Sequence, residues 1–579
     1  MRDIKISRRS FLKLAGATGV AGSTGLMGLP SPLHAAKKEN LSARFLNYQR
    51  GDFTPSYCEM CFWKCGVDVY SVDGKIRKLE GNPTNPNNTG TLCAKGNAGL
   101  YSTYDEDRVK APMLRVGKRG EGKWKQITWD EAFSIVHDKL TPLFEKYGAK
   151  TLGTFMHGTG EKYAHTLTLA LGSPNVVVPS YSQCIGSREI AWLKTFGYGV
   201  SGHEIYDMAH TKNMIVFGRN LAGAIHVGET KRFVQGVARG AKLTYIDPRL
   251  SESAASATRW LQINPGTDMA LALAIIHVIM RDNLADLNFV RRYCYGYNEL
   301  HEHVKQYTPQ WAEEKTGIKA SVIEELTWEF AKDAPNVVAV PPRRISRYGN
   351  DVQTVRAIAI INALMGNVGV PGGQFVRSNV PVQKPHEKHP PESSDERADG
   401  AGTTFPFAPT NLGIADKLYE ATLTQKPYPI KAWLIYATNP LCHGATQDGK
   451  VFEAMKNVDF IVAVDTQMSD SAFYADLVLP ESTYLERDDI PIIQKDAEPF
   501  IALRKAAIKP IYDTKHVFEI CKGIAEKFGV EEYFEKSPQE YTKELIERLS
   551  EENAKTLNET GTLVSVSYTH LTLPTKRIV

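Results

Sequence analysis

The sequence has no apolar run long enough to span a bilayer stably, so nothing in it reads as a membrane anchor. It also lacks a charge surplus outside its start. The formal net charge is +4, and Arg2, Lys5, Arg8, Arg9 and Lys13 set against Asp3 account for all of it. The remaining chain is neutral, which leaves no electrostatic footprint for nucleic acid. Cysteine is sparse, at eight residues in 579, and never forms the two separated C-x2-C knuckles usual in a structural zinc site. Hydrophobic residues at 42% and charged residues at 23% are ordinary for a soluble globular chain. The length exceeds what one core can organise, so about two to four domains are expected.

Four of the cysteines stand in one pattern. Cys58, Cys61, Cys65 and Cys93 read C-x2-C-x3-C-x27-C, with the fourth returning from a loop rich in glycine and asparagine. Three thiolates in the first arm and one in the second favour a [4Fe-4S] cluster over zinc, and a disulfide framework is weaker than either. Lys95 follows the last cysteine closely, where a cation can ease the passage of an electron or simply be solvated. Of the others, Cys294 and Cys521 lie in helix-like sequence and read as small buried residues.

Residues 1 to 36 carry a basic flank with Arg8-Arg9, a short glycine-rich apolar run and a small-residue exit at Ala35-Ala36. That is a twin-arginine signal, which exports folded proteins and so suits a chain loaded with its metal centres in the cytoplasm. The expected location is the periplasm or the outer face of the cytoplasmic membrane.

From about residue 105 the pattern is α/β. A capping box at Thr128 and Glu131 opens an amphipathic helix. Short apolar strands then alternate with helices: TLGTFM, NVVVPS, NMIVFG, AKLTYID, NVVAVP, AWLIYA and DFIVAVD. Such strands form parallel sheets covered on both faces, whose ligands gather beyond the strand carboxyl ends. The turns there hold the expected cofactor contacts. Gly218 and Asn220 follow one strand, Asp247 and Arg249 the next, and Gly266 with Asp268 opens a helix whose amides suit phosphate. Asp247 and Asp465 can accept from guanine or ribose donors, and Gly366, Asn367, Gly373 and Asn439 complete the series. Singly, each such turn is more often a cap than a ligand contact, whereas the whole run suits a large nucleotide-bearing cofactor. His157 ends TLGTFM and can donate a proton, hold a pterin or bond a carbonyl. Residues 383–404 are rich in Pro, Gly and charge and read as an excursion loop without assigned function.

With these motifs in view, residues 45 to 510 resemble the molybdopterin oxidoreductases of the dimethyl sulfoxide reductase superfamily. The most specific parts are the cysteine pattern with Lys95, DPR followed by INPGTDMALALA, LMGNVGVPGGQF, ATNP and YADLVLPESTYLE. The resemblance implies molybdenum or tungsten held by two molybdopterin guanine dinucleotides, with Cys184 as the protein ligand to the metal. The wording around Cys184 and VPPRRISRYGNDVQTVRA is most similar to the thiosulfate and polysulfide reductase branch. It implies Arg343, neighboured by Arg344 and Arg347, as a substrate-pocket or cofactor-phosphate arginine. Lys95 then lies on the electron route from cluster to metal, and His157 or water supplies protons. An iron-sulfur electron-transfer subunit and a membrane quinone subunit are the implied partners. Another cysteine-ligated oxyanion reductase, for arsenate, tetrathionate or nitrate, and a metal-free electron-wiring subunit of the same fold are the alternatives.

The expected architecture is a small iron-sulfur domain at 45–105, one α/β pterin-binding domain from 106–165 and 340–510, and a second at 166–339. Residues 511–563 read as the helical start of a truncated C-terminal region whose β-barrel domain is missing, and 564–579 as an artefactual tail.

Overall fold

The seven strands expected from the sequence are each present. The structure, a computed structural model, describes residues 53–199, 206–223, 226–343, 349–443 and 449–565. The twin-arginine segment, Arg344, Arg347 and the tail from residue 566 lie outside them. Every element of the fold belongs to the unit that begins at Thr54.

Strands β1 (Thr54–Tyr57), β2 (Gly66–Val72) and β3 (Lys75–Gly81) form a small antiparallel sheet. The cysteine loop joins its first two strands, and the fourth cysteine precedes helix α1 (Ala94–Tyr104). Strands β4 (Met113–Arg115) and β5 (Trp124–Gln126) make a hairpin that the periodicity did not reveal. Helix α2 (Trp129–Tyr147) starts with the expected capping box, Thr128 Oγ1 accepting from the Glu131 amide.

Strand β6 (Leu152–Met156), helix α3 (Glu161–Ala170), strand β7 (Val176–Val177) and helix α4 (Gly186–Phe196) follow. Next come β8 (Asn213–Phe217), helix α5 (Val227–Ala238), β9 (Lys242–Ile246), β10 (Arg259–Leu261) and helix α6 (Asp268–Arg281). Strand β11 (Val337–Val340) leads into α7 (Asp351–Leu364). The chain then returns through β12 (Ala432–Tyr436), β13 (Phe460–Asp465) and β14 (Leu477–Pro480). It closes with β15 (Asp489–Gln494), β16 (Phe500–Arg504), helix α8 (Val517–Phe528) and β17 (Thr562–Val564).

Two larger sheets result. One has the order β5-β4-β14-β13-β12-β6-β7, in which β14, β13, β12, β6 and β7 run parallel. The other is all parallel, in the order β10-β9-β8-β11. Each is buried on both faces, as continuous apolar strands require. The seven-stranded sheet draws strands from either side of the four-stranded one in sequence, so that sheet is discontinuous along the chain. A fourth sheet, β15-β16-β17, is antiparallel and packs on the cysteine-loop end through Tyr57. Among the described residues no sheet closes into a barrel, and no helix is long and apolar enough to cross a membrane. Cys521 is buried on α8 as expected, while Cys294 is half-buried.

Candidate functional site

The cysteine loop folds on itself through the Cys58 amide, which donates to the Cys65 carbonyl at 2.8 Å. Cys58 and Cys65 are buried, and Cys61 and Cys93 are half-buried. Cys93 occupies the N-cap of α1, where its Sγ accepts from the Gly96 amide at 3.5 Å. Burial pushes the Cys58 thiol up to about 12 and the Cys65 thiol up as well, and the neighbouring thiols add to both shifts. Cys61 is raised by burial and by Cys93, with Lys95 and Arg343 pulling the other way. The four sulfurs thus feel one another. Four cysteines gathered on one loop and a helix start, close enough to shift one another, fit a [4Fe-4S] cluster.

A cavity of about 620 Å³ opens beside this loop. Cys61, Phe62, Trp63 and Lys64 form one wall, and His157, Gly158 and Glu161 form another. The third is the π-helical turn Tyr181–Ile185, which carries Cys184 half-buried at the end of β7. Such turns are frequent where a side chain must be aimed at a site. The structure therefore brings Cys184, His157 and the cluster loop to one space. Arg343 reaches the same loop, its guanidinium 5.0 Å from the Phe62 ring and 5.2 Å from the Trp63 ring.

Sequence reasoning missed the residue that ties these walls together. Glu59 follows the first cysteine, and its Oε1 accepts from the Thr159 amide at 3.0 Å, across the cavity in the His157 turn. Its Oε2 accepts from Arg487 at 2.5 Å and Arg504 at 2.8 Å. Arg504 also donates to Asp489 at 3.0 Å and to the Tyr57 carbonyl at 3.1 Å, and Arg487 pairs with Glu481 at 2.7 Å. Tyr436 donates to Glu481 at 3.0 Å. Burial alone would push the Glu59 carboxyl up, but Arg504 and Arg487 outweigh it and hold the group near about 2. A second brace stacks the His226 ring on Trp63 at 3.5 Å, with Glu229 beneath it paired to Arg219 at 2.5 Å. None of these charges stands in a local pattern. Lys64 and Glu161 were likewise unread as cavity residues; only their adjacency to Cys65 and to the His157 turn points to them.

The strand-end turns sit as the parallel topology requires. Gly218 and Asn220 follow β8, Asp247 and Arg249 follow β9, and Gly266 and Asp268 follow β10. His157, Asn439 and Asp465 lie at the ends of β6, β12 and β13. Asp247 accepts from the Arg249 amide at 2.8 Å, Asn439 from Ser471 at 3.0 Å, and Asp465 from Ser469 Oγ at 2.8 Å. Burial pushes the Asp268 and Asp465 carboxyls up. Thr267 caps α6 without a side-chain bond, so the Met269 amide keeps a donor suited to phosphate while Ala270 donates to the Thr267 carbonyl at 3.0 Å. Two glycine-lined sheet edges, an uncapped helix start and a cavity thiol together fit a pterin nucleotide. Lys95 is exposed at the start of α1. Gly366, Asn367 and Gly373 stand at the opposite end of the four-stranded sheet. There Asn367 Nδ2 donates to the Val337 carbonyl at 2.6 Å, at the start of β11, and Gly372 to Asp207 at 3.0 Å.

The comparisons with known proteins agree. A molybdopterin oxidoreductase family model matches residues 108–527, its Fe4S4 domain model residues 52–105, and a twin-arginine translocation signal model residues 5–25. The chain is 32% identical over 546 residues to the thiosulfate reductase molybdopterin-containing subunit PhsA of Salmonella typhimurium, covering 92% of this chain and 70% of that protein. It is 29% identical to the dimethyl sulfoxide reductase DmsA of Haemophilus influenzae, covering 92% and 71%. The solved structure of acetylene hydratase from Pelobacter acetylenicus matches with a TM-score of 0.74 at 27% identity, covering 88% of this chain and 74% of that one. Motif, cavity and kinship lead to one assignment: the chain belongs to the molybdopterin oxidoreductase family, is exported by the twin-arginine route, and uses a [4Fe-4S] cluster with a molybdopterin-bound metal.

Proposed function

We propose that this oxidoreductase reduces thiosulfate or polysulfide to sulfide with electrons received through the [4Fe-4S] cluster. The observation that carries the reading is the 32% identity to a thiosulfate reductase subunit over nearly the whole chain. The cavity supports it, because a thiol, an imidazole and a lysine face one space next to the cluster loop. When bound, the molybdenum or tungsten centre of a bis(molybdopterin guanine dinucleotide) supplies the two-electron step, and the cluster supplies one-electron entry.

The chain's own residues do the rest. Cys184 holds the metal as a soft thiolate. Lys64 on the wall and Arg343 against Phe62 and Trp63 give the cavity a positive side for an anion. In thiosulfate the S–S bond breaks: two electrons and one proton enter, and sulfite and hydrosulfide leave. His157 or cavity water delivers that proton. Lys95, near Cys61, favours the reduced, more negative cluster. Gly218, Asn220, Asp247, Arg249, Gly266, Asp268, Asn439 and Asp465 receive the pterin nucleotides. An iron-sulfur subunit and a membrane quinone subunit would complete the electron path.

A substrate panel tests the reading. Anaerobically purified holoenzyme should oxidise reduced viologen with thiosulfate or polysulfide and release sulfide, and Cys184→Ala should abolish this while keeping the cluster's EPR signal. Turnover of arsenate, tetrathionate or nitrate instead would move the protein to another reductase class. Hydration of acetylene without viologen oxidation would overturn the reductase reading itself.

A further inference from the structure

Lys64 stands in the cysteine loop with a positive φ of 50°, and it lines the cavity that also holds Cys184 and His157. Among the described residues of that cavity it is the one non-glycine residue on a left-handed backbone. Such a backbone strains a lysine and persists only where the surroundings impose it. Here they do. Asn87 Nδ2 donates to the Trp63 carbonyl, in the peptide that leads into Lys64. With that nitrogen used, the Asn87 oxygen accepts, and His226 Nε2 donates to it at 2.9 Å. The His226 ring lies flat on Trp63, with 3.5 Å between centroids and 6° between planes. Helix α5 starts directly against this pair, since a Cβ on Gly228 would collide with the Asn87 carbonyl oxygen. Beyond Lys64, the Cys65 carbonyl accepts from the Cys58 amide at 2.8 Å. The chain is thus pinned on both sides of the strained residue.

What this backbone presents to the cavity is a half-buried ammonium that, among the described residues, makes no hydrogen bond or ion pair. It feels Glu161 electrostatically, and burial pushes that carboxyl up against its pull. Glu59, the carboxylate nearest in sequence, is taken by Arg487 and Arg504. Arg343 already lies against the Phe62 and Trp63 rings. We infer that Lys64 is the residue that seats the substrate anion in this cavity, and that Asn87 and His226 are positioning residues that aim it. The inference rests on the reductase reading for the identity of the anion, and it places the anion's seat at Lys64 instead of Arg343. An ammonium is a compact charge with three rotatable donors, so it can take the oxygens of thiosulfate or the terminal sulfur of a polysulfide without the planar pair of oxygens that a guanidinium matches. It offers far less to an uncharged sulfoxide, which makes the seat selective for anions.

The test uses holoenzyme of wild type, Lys64→Met, Lys64→Arg, Asn87→Ala and the Lys64→Met/Asn87→Ala double variant, each first analysed for iron, molybdenum, tungsten and pterin. Binding is read without turnover, by calorimetric titration of the oxidised protein with thiosulfate, arsenate and nitrate. Lys64→Met should keep its cofactors and bind thiosulfate about tenfold to a hundredfold more weakly. In turnover with reduced viologen its KM should rise by the same factor, with kcat changed less. Lys64→Arg should recover most of the affinity. Asn87→Ala, or the milder His226→Phe that keeps the stack and loses the bond, should also weaken binding. Neither should add to the loss in the Lys64→Met background, because both act through the lysine. Affinity within about threefold of wild type in Lys64→Met overturns the seat, and so does loss of pterin or metal, which would make Lys64 a cofactor contact. Additive losses in the double variant overturn the positioning. A wild type that binds arsenate or nitrate but not thiosulfate, with the same weakening in Lys64→Met, would sink the sulfur-substrate reading and leave the seat standing. A wild type that binds none of the three anions overturns the seat itself.

Discussion

Asp247 finds its partner two residues on, in the Arg249 amide, whereas Glu59 finds its partners 428 and 445 residues on, in Arg487 and Arg504. The strand-end turns are local constructions, each closed by bonds within a short stretch of chain. The cysteine loop is held from a distance, by charges that arrive only when β15 and β16 fold against β1. The cluster end of the molecule is therefore the part that depends on the whole chain.

Removing one distant charge should break the contrast most sharply. Arg504 is fully buried against Glu59, Asp489 and Tyr57, so Arg504→Ala takes one cation from two buried carboxylates and leaves Arg487 to serve both. A loss of about 3–5 kcal/mol is expected in denaturant unfolding, with a weakened cluster EPR signal. Arg487→Ala should follow the same direction.

Acid should act on the two regions with opposite signs. At Glu229, burial pushes the carboxyl up but Arg219 and His226 together hold it below its usual range. Its folded value is depressed, so its stabilisation is full above pH 4.5 and is lost as pH falls below that. Burial depresses His226 too, so stability begins to fall once pH drops through 6.5, where the unfolded imidazole takes a proton. At Asp268 and Asp465 the folded values are raised, so their ionisation costs stability at neutral pH and the cost disappears on acidification. Midpoints recorded from pH 7 to pH 4 should therefore fall in wild type and fall less in Glu229→Gln. Asp465→Asn should lose little at pH 7.

The smallest effect is expected at a single turn. Asp247→Ala removes one cap on the Arg249 amide and should cost about 0.5–1.5 kcal/mol, while lowering pterin retention in the purified protein.

This contrast also explains what the sequence disclosed. The seven apolar strands, the capping box at Thr128 and the cysteine pattern are local signals, and all are in the fold. Strands β4, β5 and β10 are too short to show a period, and β14 lies inside LVLP, legible only as part of a family motif. Glu59, Arg487 and Arg504 carry no local mark because their meaning is pairwise and distant. Glycine-rich GNVGVPGGQ reads like the other turns, yet its glycines and Asn367 serve close packing at the strand starts, a use of glycine that sequence cannot separate from ligand approach. Residues 383–404 form a loop as expected but are firmly bound: Arg397 pairs with Asp399 at 2.7 Å and donates to the Val176 carbonyl at 2.7 Å, bracing β7 below Cys184.

The central claim is that the cysteine loop and Cys184 serve one redox site with two inorganic centres. Iron, molybdenum, tungsten and pterin analysis of the anaerobically purified protein tests it most directly. The account predicts about four irons and one molybdenum or tungsten per chain, with pterin present, and the loss of metal but not iron in Cys184→Ala. Iron without either metal or pterin would contradict it and leave an electron-transfer subunit.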